Sequence, residues 1–454
     1  MKLHHRVGLS LLLLSAVLAS TASAQDHLTL QECVDLALKN NPAMQIAEAN
    51  WEKSTWGLKE AKGYNGLRLD YNFLYGRSDQ PPSWYNNTTA QYPLSFNPLT
   101  GAAIQYPSWS NTYSFYDHKV TLTLPLYSGH KLESMSDAAK RGQIFFDLER
   151  TTTKQQLALD TTTSYYTALQ SIHLRDVAKE GVDDFSAHLS DVKQQFDVGN
   201  VPFSDVLQTE VRLANARNNL IKTQNAVTMS RYKLNKTIGL ELVNDVPLDA
   251  PISFEPYTAT LADDLAAAFK NRPELEQAEQ RIAIAKDKVK IANSDSLPAV
   301  NAVGTEEIND TSPGTSKHNT SWTAGINISF NVFDNGVSKA KNKEAIKDLA
   351  VAIGQKRQLE DAITLEVSNA HLNVNESSER ITNNEVAVHQ SQRDYLMAKE
   401  RYNVGIGTNL DVMDAELAML QAKTNYVMAI YDYKNSRAQL SKAIGSLYKE
   451  KAAK

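Results

Sequence analysis

The sequence predicts a mainly α-helical chain with a β-barrel part. Three observations predict it: an internal duplication, proline-free stretches with a seven-residue apolar period, and four segments of alternating character. Phe196–Gly239 aligns without a gap on Tyr402–Gly445, at a constant offset of 206 positions. Thirteen positions are identical, among them Val198/Val404, Gly199/Gly405, Asp205/Asp411, Val206/Val412, Glu210/Glu416, Leu234/Leu440 and Gly239/Gly445. Unrelated segments would share roughly three at background composition. One unit is therefore used twice, and function has to be read from that unit.

The helices come first. No proline occurs between Pro125 and Pro202 or after Pro313, and Lys131–Val198 contains only two glycines, Gly142 and Gly181. A helix of that length would run ~100 Å. Val206, Leu213, Leu220, Val227 and Leu234 stand seven apart, as do their counterparts Val412, Met419, Tyr426, Tyr433 and Leu440. A sustained seven-residue stripe makes a seam along which helices supercoil left-handedly. Asp197-Val198-Gly199 and Asn403-Val404-Gly405 are the expected turns, where glycine frees the backbone to end one helix. Ser204 or Asp411 is expected to help start the next. Shorter helices, Leu30–Lys62 and Leu261–Asn293, open the two halves, and a proline-rich linker joins them.

Between the helices lie the strands. Leu67, Leu69, Tyr71, Phe73 and Tyr75 alternate with Arg68, Asp70, Asn72 and Leu74. Val120, Leu122, Leu124 and Leu126 alternate similarly, as do Trp322, Ala324, Ile326, Ile328, Phe330 and Val332; Ala299–Thr305 carries the weakest pattern. Such alternation suits strands between lipid and water, and equally a half-buried soluble sheet. Four strands leave two open edges, which hydrocarbon does not tolerate. Either the sheet is soluble, or several chains pool strands into one barrel, three chains giving twelve.

The chain of 454 residues is thus read as a signal peptide over 1–24 and a first repeat over 25–240. That repeat holds strands at about 66–77 and 112–127 and a long hairpin over 130–239. A linker over 241–260 leads to a second repeat over 261–454, with strands at about 298–306 and 320–333 and a hairpin over 337–449. The signal reading rests on Lys2 and Arg6, the apolar Leu9–Leu18, and the small residues Ala22-Ser23-Ala24. Removing it leaves 45 basic against 52 acidic residues, a net charge of −7, which argues against a nucleic-acid partner. The single cysteine, Cys33, excludes an internal disulfide framework and a multi-thiolate zinc site. No nucleophile elbow, zinc-protease helix or phosphate loop is present, and the ten histidines are scattered, so neither an enzyme, a cofactor nor a metal site is expected.

Several motifs in order resemble the TolC-like family of outer-membrane efflux proteins, over essentially the whole mature chain. They are LTLQECVDLALKNNP (Leu28–Pro42), LPLYSG (Leu124–Gly129) and SFNVFDNG (Ser329–Gly336), with Val198-Gly199 before Asp205 and Val404-Gly405 before Asp411 at the tips. The resemblance implies a homotrimer with a twelve-strand barrel among outer-membrane lipids and a twelve-helix tunnel reaching into the periplasm. The tips, Val198, Gly199, Val404 and Gly405, would dock a periplasmic adaptor protein, which leads to an inner-membrane transporter. Substrates would leave through this duct, in drug efflux or in type I secretion. Asp411 and Asp414 match the acidic pair that rings the family's periplasmic entrance. Three apart, they share one helix face, and crowding in a trimer is expected to raise some of their pKa values. Tyr402, Ser204 and Asp205 match positions of an entrance latch, although Gly407 stands where the family places a basic residue, with Arg401 as a substitute. Packing alone is an equal reading for Tyr402. The rival function is a non-conducting periplasmic or surface coiled-coil scaffold.

Overall fold

A computed structural model describes residues 28–78, 99–100, 113–244, 247–248, 254–310 and 319–448. The expected signal segment and nearly all of the aromatic-rich loop between the first two strands lie outside the described residues. In chain order the elements are α1 (Leu30–Asn40), α2 (Pro42–Gly63), β1 (Arg68–Ser78), β2 (Tyr113–Tyr127), α3 (Lys131–Asp197) and α4 (Phe203–Ile238). The second half repeats them: α5 (Leu261–Asn271), α6 (Pro273–Ser294), β3 (Ala299–Asp310), β4 (Asn319–Ser329), α7 (Val337–Asn403) and α8 (Asn409–Ala443). They form two compact units, one holding the sheet and the other both hairpin tips.

The opening helices differ from the single pieces expected. Each is two helices, broken at Asn41-Pro42 and Arg272-Pro273. Proline has no amide hydrogen to continue the ladder and forces its predecessor out of helical conformation. Asn41 and Arg272 accordingly have extended backbones, with ψ of 132° and 119°. Both first pieces begin with a capping box, Thr29 with Glu32 and Thr260 with Asp263.

In the tip-bearing unit, α1 packs Cys33 and Ala37 against Leu157, Tyr165, Leu169, Leu234 and Ile238. The seven-residue stripes lie in the interior: Val206, Leu213, Val227 and Leu234 on α4 are buried, as are Val412, Met419, Tyr433 and Leu440 on α8. The small residues Ala415, Ala422 and Ala429 are buried between them, allowing close lateral packing. The two halves fill one position differently. Cys33 and Tyr165 belong to one apolar cluster, where the Tyr165 hydroxyl donates to the Leu28 carbonyl at 3.2 Å. Their counterparts, Asp264 and His371, form a buried pair at 2.8 Å, joined by the Tyr257 hydroxyl. Duplication preserved the docking while the chemistry diverged.

In the other unit, the strands form one antiparallel sheet in the order β1-β2-β3-β4. Register places Leu69, Tyr71, Phe73 and Tyr75 beside Leu122, Val120, His118 and Tyr116 on one face, with Ile326, Ile328 and Trp322 farther across. The opposite face carries Asp70/Thr121/Thr305/Thr323 and Asn72/Lys119/Glu307/Ser321. The first face is mainly apolar, interrupted by His118, Glu306 and Asp310, and the second is mainly polar, as period-two alternation requires.

β3 continues to Asp310 and β4 stops at Ser329, whereas sequence placed these ends near 306 and 333. β4 ends where its partner ends: Ser329 pairs with Ala299, the first residue of β3, which follows Pro298. Beyond it, the Asp334 carboxylate accepts from the amides of Gly336 at 3.0 Å and Ser338 at 2.7 Å at the start of α7. At the equivalent strand-to-helix junctions, Gly129-His130 and Asn335-Gly336 all have positive φ, the glycine having changed places within the pair. No described helix is long and apolar enough to cross a membrane.

The glycines ending α4 and α8 make a stability test. Gly239 has φ of 74°, and an added Cβ would lie 2.6 Å from that of Asn40. Gly239→Ala is expected to cost more than about 1 kcal/mol. Gly142→Ala, mid-helix with open space around it, should instead stabilise by about 0.5–1 kcal/mol. Thermal unfolding of both variants checks the contrast.

Candidate functional site at the hairpin tips

Both long hairpins turn through the same backbone device. Gly199 (φ 82°) and Gly405 (φ 80°) adopt the left-handed conformation, and the following amides reach back to the helix, Asn200 to the Gln195 carbonyl and Ile406 to that of Arg401. This closes the helix end with its orphan carbonyls satisfied. Val198, Phe203, Val404, Ile406 and Leu410 remain exposed there.

The next helices start differently. α4 begins after Pro202 with no side-chain cap, so Ser204 does not perform the starting role expected of it and lies within the helix. α8 begins with a capping box: the Thr408 amide donates to Asp411 Oδ2 at 2.9 Å, and the Asp411 amide donates to Thr408 Oγ1 at 3.2 Å. Asp411 therefore has a defined local role. Its pKa is lowered, first by the Thr408 backbone, then by the Thr408 side chain, with Arg401 assisting. Within the chain this is opposite to the upward shift expected from crowding. The Asp411 carboxylate is negative at neutral pH.

Asp414 stands one turn on, exposed, with one oxygen 3.6 Å from Arg212 of α4. Asp411 and Asp414 line a common groove of about 330 Å³, with Asp394, Met397, Arg401 and Gly407 among the other walls. The two acids thus share a face, as their spacing requires.

Tyr402, Ser204 and Asp205 meet less directly. Tyr402 is buried among Val192, Val206, Val412 and Ala415, its ring edge-on to His188 at 5.4 Å. Its hydroxyl has no hydrogen-bond partner, and burial, then the charges of Asp205 and Asp191, push its pKa up. Ser204 donates to Asp205 Oδ1 at 3.5 Å. Among the described residues no hydrogen bond joins Tyr402 to either.

A buried polar contact between the hairpins is made by Asn409, which sequence reading missed. Asn409 is buried, with Oδ1 2.8 Å from His188 Nε2 on α3. Its Nδ2 lies 3.3 Å from the Asp205 carbonyl and 3.2 Å from Thr209 Oγ1 on α4. One amide side chain therefore joins α8 to both helices of the first hairpin. No sequence signal marked it, because its duplicate position is Phe203. Among the described residues, no group of His, Cys, Asp and Glu side chains is arranged to hold a metal ion.

Two duplicated helical hairpins joined to an amphipathic four-stranded sheet define the class of membrane-embedded export channels. A family description, outer membrane efflux protein, matches residues 33–240 and again 265–446, one match for each repeat. The chain belongs to the outer membrane efflux protein family, and it is an outer-membrane efflux or secretion channel component. The outer membrane protein TolC of Escherichia coli is 24% identical over 465 residues, spanning 96% of this chain and 86% of that protein. The alkaline protease secretion protein AprF of Pseudomonas aeruginosa is 22% identical, spanning 89% and 82%. Among solved structures, the Campylobacter jejuni CmeC outer membrane channel superposes with a TM-score of 0.77 at 16% identity, covering 93% of this chain and 87% of that one. VceC of Vibrio cholerae gives 0.75 at 16% identity, covering 92% and 96%.

Replacing Asn409 by Ala leaves His188 and Thr209 without their shared partner. The expected cost is about 1–3 kcal/mol. Limited proteolysis within 197–203 and 403–409 should accelerate in this variant, and wild-type cleavage rates would show that the contact does not hold the hairpins.

Proposed function

We propose that the chain works as a homotrimer in which three copies pool four strands each into a twelve-strand barrel, and their helices line a periplasmic tunnel. The observation that carries this reading is the sheet. Among the described residues β1 and β4 each have one edge unpaired, while Leu69, Tyr71, Phe73, Tyr75, Trp322, Ile326 and Ile328 expose an apolar face. In lipid every backbone amide and carbonyl needs a partner, and neighbouring copies supply it at both edges. Exposed Leu365, Leu372 and Val386 on α7, spaced by sevens and fourteens, suit helix-to-helix contact with another copy.

The exposed apolar tips, Val198 and Val404 beside Gly199 and Gly405, would receive the helical end of a periplasmic adaptor. The adaptor would connect the tunnel to an inner-membrane transporter, which supplies the energy and selects the cargo. The names of relatives span toluene and solvent efflux pumps and a protease secretion protein. The duct itself is accordingly read as tolerant of cargo. Residues 1–24 would be removed on export. Tyr402, Ser204 and Asp205 would contribute to the closed entrance by packing and charge, with Asn409 making the direct bond.

Asp411 and Asp414 would form the narrow entrance ring, two carboxylates from each of three chains. Asp411 suits the role because its lowered pKa keeps it charged. A ring of like charges favours cations and hinders anions. In planar bilayers, Asp411→Asn with Asp414→Asn should reduce the cation-to-anion permeability ratio several-fold, with pores still present. An inserted trimeric double variant of unchanged selectivity excludes the ring. If the wild-type protein forms no pores at all, the coiled-coil scaffold replaces the channel reading.

A further inference from the structure

Glu416 is a buried acid that the entrance ring does not use. It lies on α8 one turn beyond Val412, with 0% of its surface exposed, and neither carboxylate oxygen has a hydrogen-bond partner. Its duplicate, Glu210, is conserved in type but sits at the surface, 2.8 Å from Lys193. The repeat therefore does not demand burial here; the second hairpin does. A carboxyl group buried without a hydrogen-bond partner favours its protonated form.

The groups around it come from every neighbouring element. From α3 come Asp184, His188 and Asp191, and from α7 come Tyr395 and Lys399: Asp184 and Lys399 act on Glu416 itself, Glu416 with Asp184 and Asp191 on Tyr395, and Asp191 with Lys399 on His188. At this level α4 carries Glu210 and Arg212, engaged with Lys193 and Asp414. On α8 itself, Lys423 is paired with Glu180 of α3 at 2.5 Å. On Glu416 the charge of Asp184 outweighs that of Lys399, and Lys423, which also acts on Asp184, is paired with Glu180, so charge on Glu416 would be repelled from α3.

We propose that Glu416 is held as an uncharged acid in the packed hairpin pair, and that its ionisation drives the first turns of α8 away from α3 and α7, loosening the entrance. Burial, then the charge of Asp184, pushes its pKa up to about 8, against the pull of Lys399. In an unfolded chain the same carboxyl titrates near 4.5. Because the folded value is the higher one, packing is intact below the unfolded pKa and weakens as pH rises through the folded value. His188, whose pKa is lowered by burial, is neutral across the upper part of this window and adds no compensating charge there. The consequence for ion flow rests on the entrance reading given above, whereas the motion of α8 does not.

The test uses full-length protein in detergent and in bilayers between about pH 5.5 and pH 9.5. Amide exchange over Asn409–Met419, corrected for the intrinsic effect of pH, should speed up progressively, by about tenfold or more, in the wild type between pH 5.5 and pH 8 and level off above that. Glu416→Gln should remove that change, and Glu416→Met, which has no titratable end, should do the same if the amide disturbs packing. Wild-type exchange that is flat, or that changes equally in both variants, overturns the proposal. Conductance should follow the same pH dependence in the wild type and lose it in Glu416→Gln. A conductance response that persists in Glu416→Gln overturns the link to the entrance. Exchange that obeys Glu416 in a protein without pores upholds the α8 motion and refutes the channel reading instead.

Discussion

The open edges of β1 and β4 constrain everything else. A strand in hydrocarbon must satisfy each amide and carbonyl, and one chain supplies only three of the ladders its four strands need. Alternation solves the problem of the faces: Tyr71 and Val120 share one side, Asp70 and Thr121 the other. It does nothing for the edges. In lipid a chain of this design would close its edges as part of the proposed ring, and the long helices would give each copy surface to meet the next. The apolar stripe of α7 and the sheet edges thus point to one assembly for separate physical reasons.

Duplication explains how such a ring is built economically. Each half contributes two strands, a split short helix and a long hairpin, with the same left-handed residues at the same places. Once two copies of a unit exist in one chain, equivalent positions are free to diverge. Cys33 with Tyr165 became an apolar contact and Asp264 with His371 a buried polar pair. Glu210 remained a surface ion-pair partner, while Glu416 was taken inside. The quasi-symmetric frame carries packing, and the departures from symmetry set each residue's local environment.

At the hairpin tips these departures concentrate in the second hairpin. Asp411 is fixed by its capping box with Thr408, Asp414 is placed against Arg212, and Asn409 ties the hairpins together. A carboxylate oriented by a helix start presents its charge without needing a flexible side chain to find its place. This makes the first turn of α8 both a structural anchor and an electrostatic surface. Any movement of α8 consequently changes the position of the acids and the bond to the first hairpin together.

Much of this was legible in the residues. Period seven in Val206, Leu213, Val227 and Leu234, and period two in Leu69, Tyr71 and Phe73, reflect helix and strand geometry directly, so fold class follows from pattern. The shared face of Asp411 and Asp414 follows from helical spacing alone. The breaks at Pro42 and Pro273 were also written in the chain, but the apolar pattern continues across them and masked two helices as one. The early end of β4 depended on where its partner β3 begins, at Ala299 opposite Ser329. Only tertiary structure decided that Asn409 would meet His188 and Thr209, that Tyr402 would be buried without a partner, and that two identical glutamates would face opposite environments. Sequence fixes which atoms a residue offers and how often a face recurs. What a side chain finally touches depends on residues 200 or more positions away, which local periodicity does not encode.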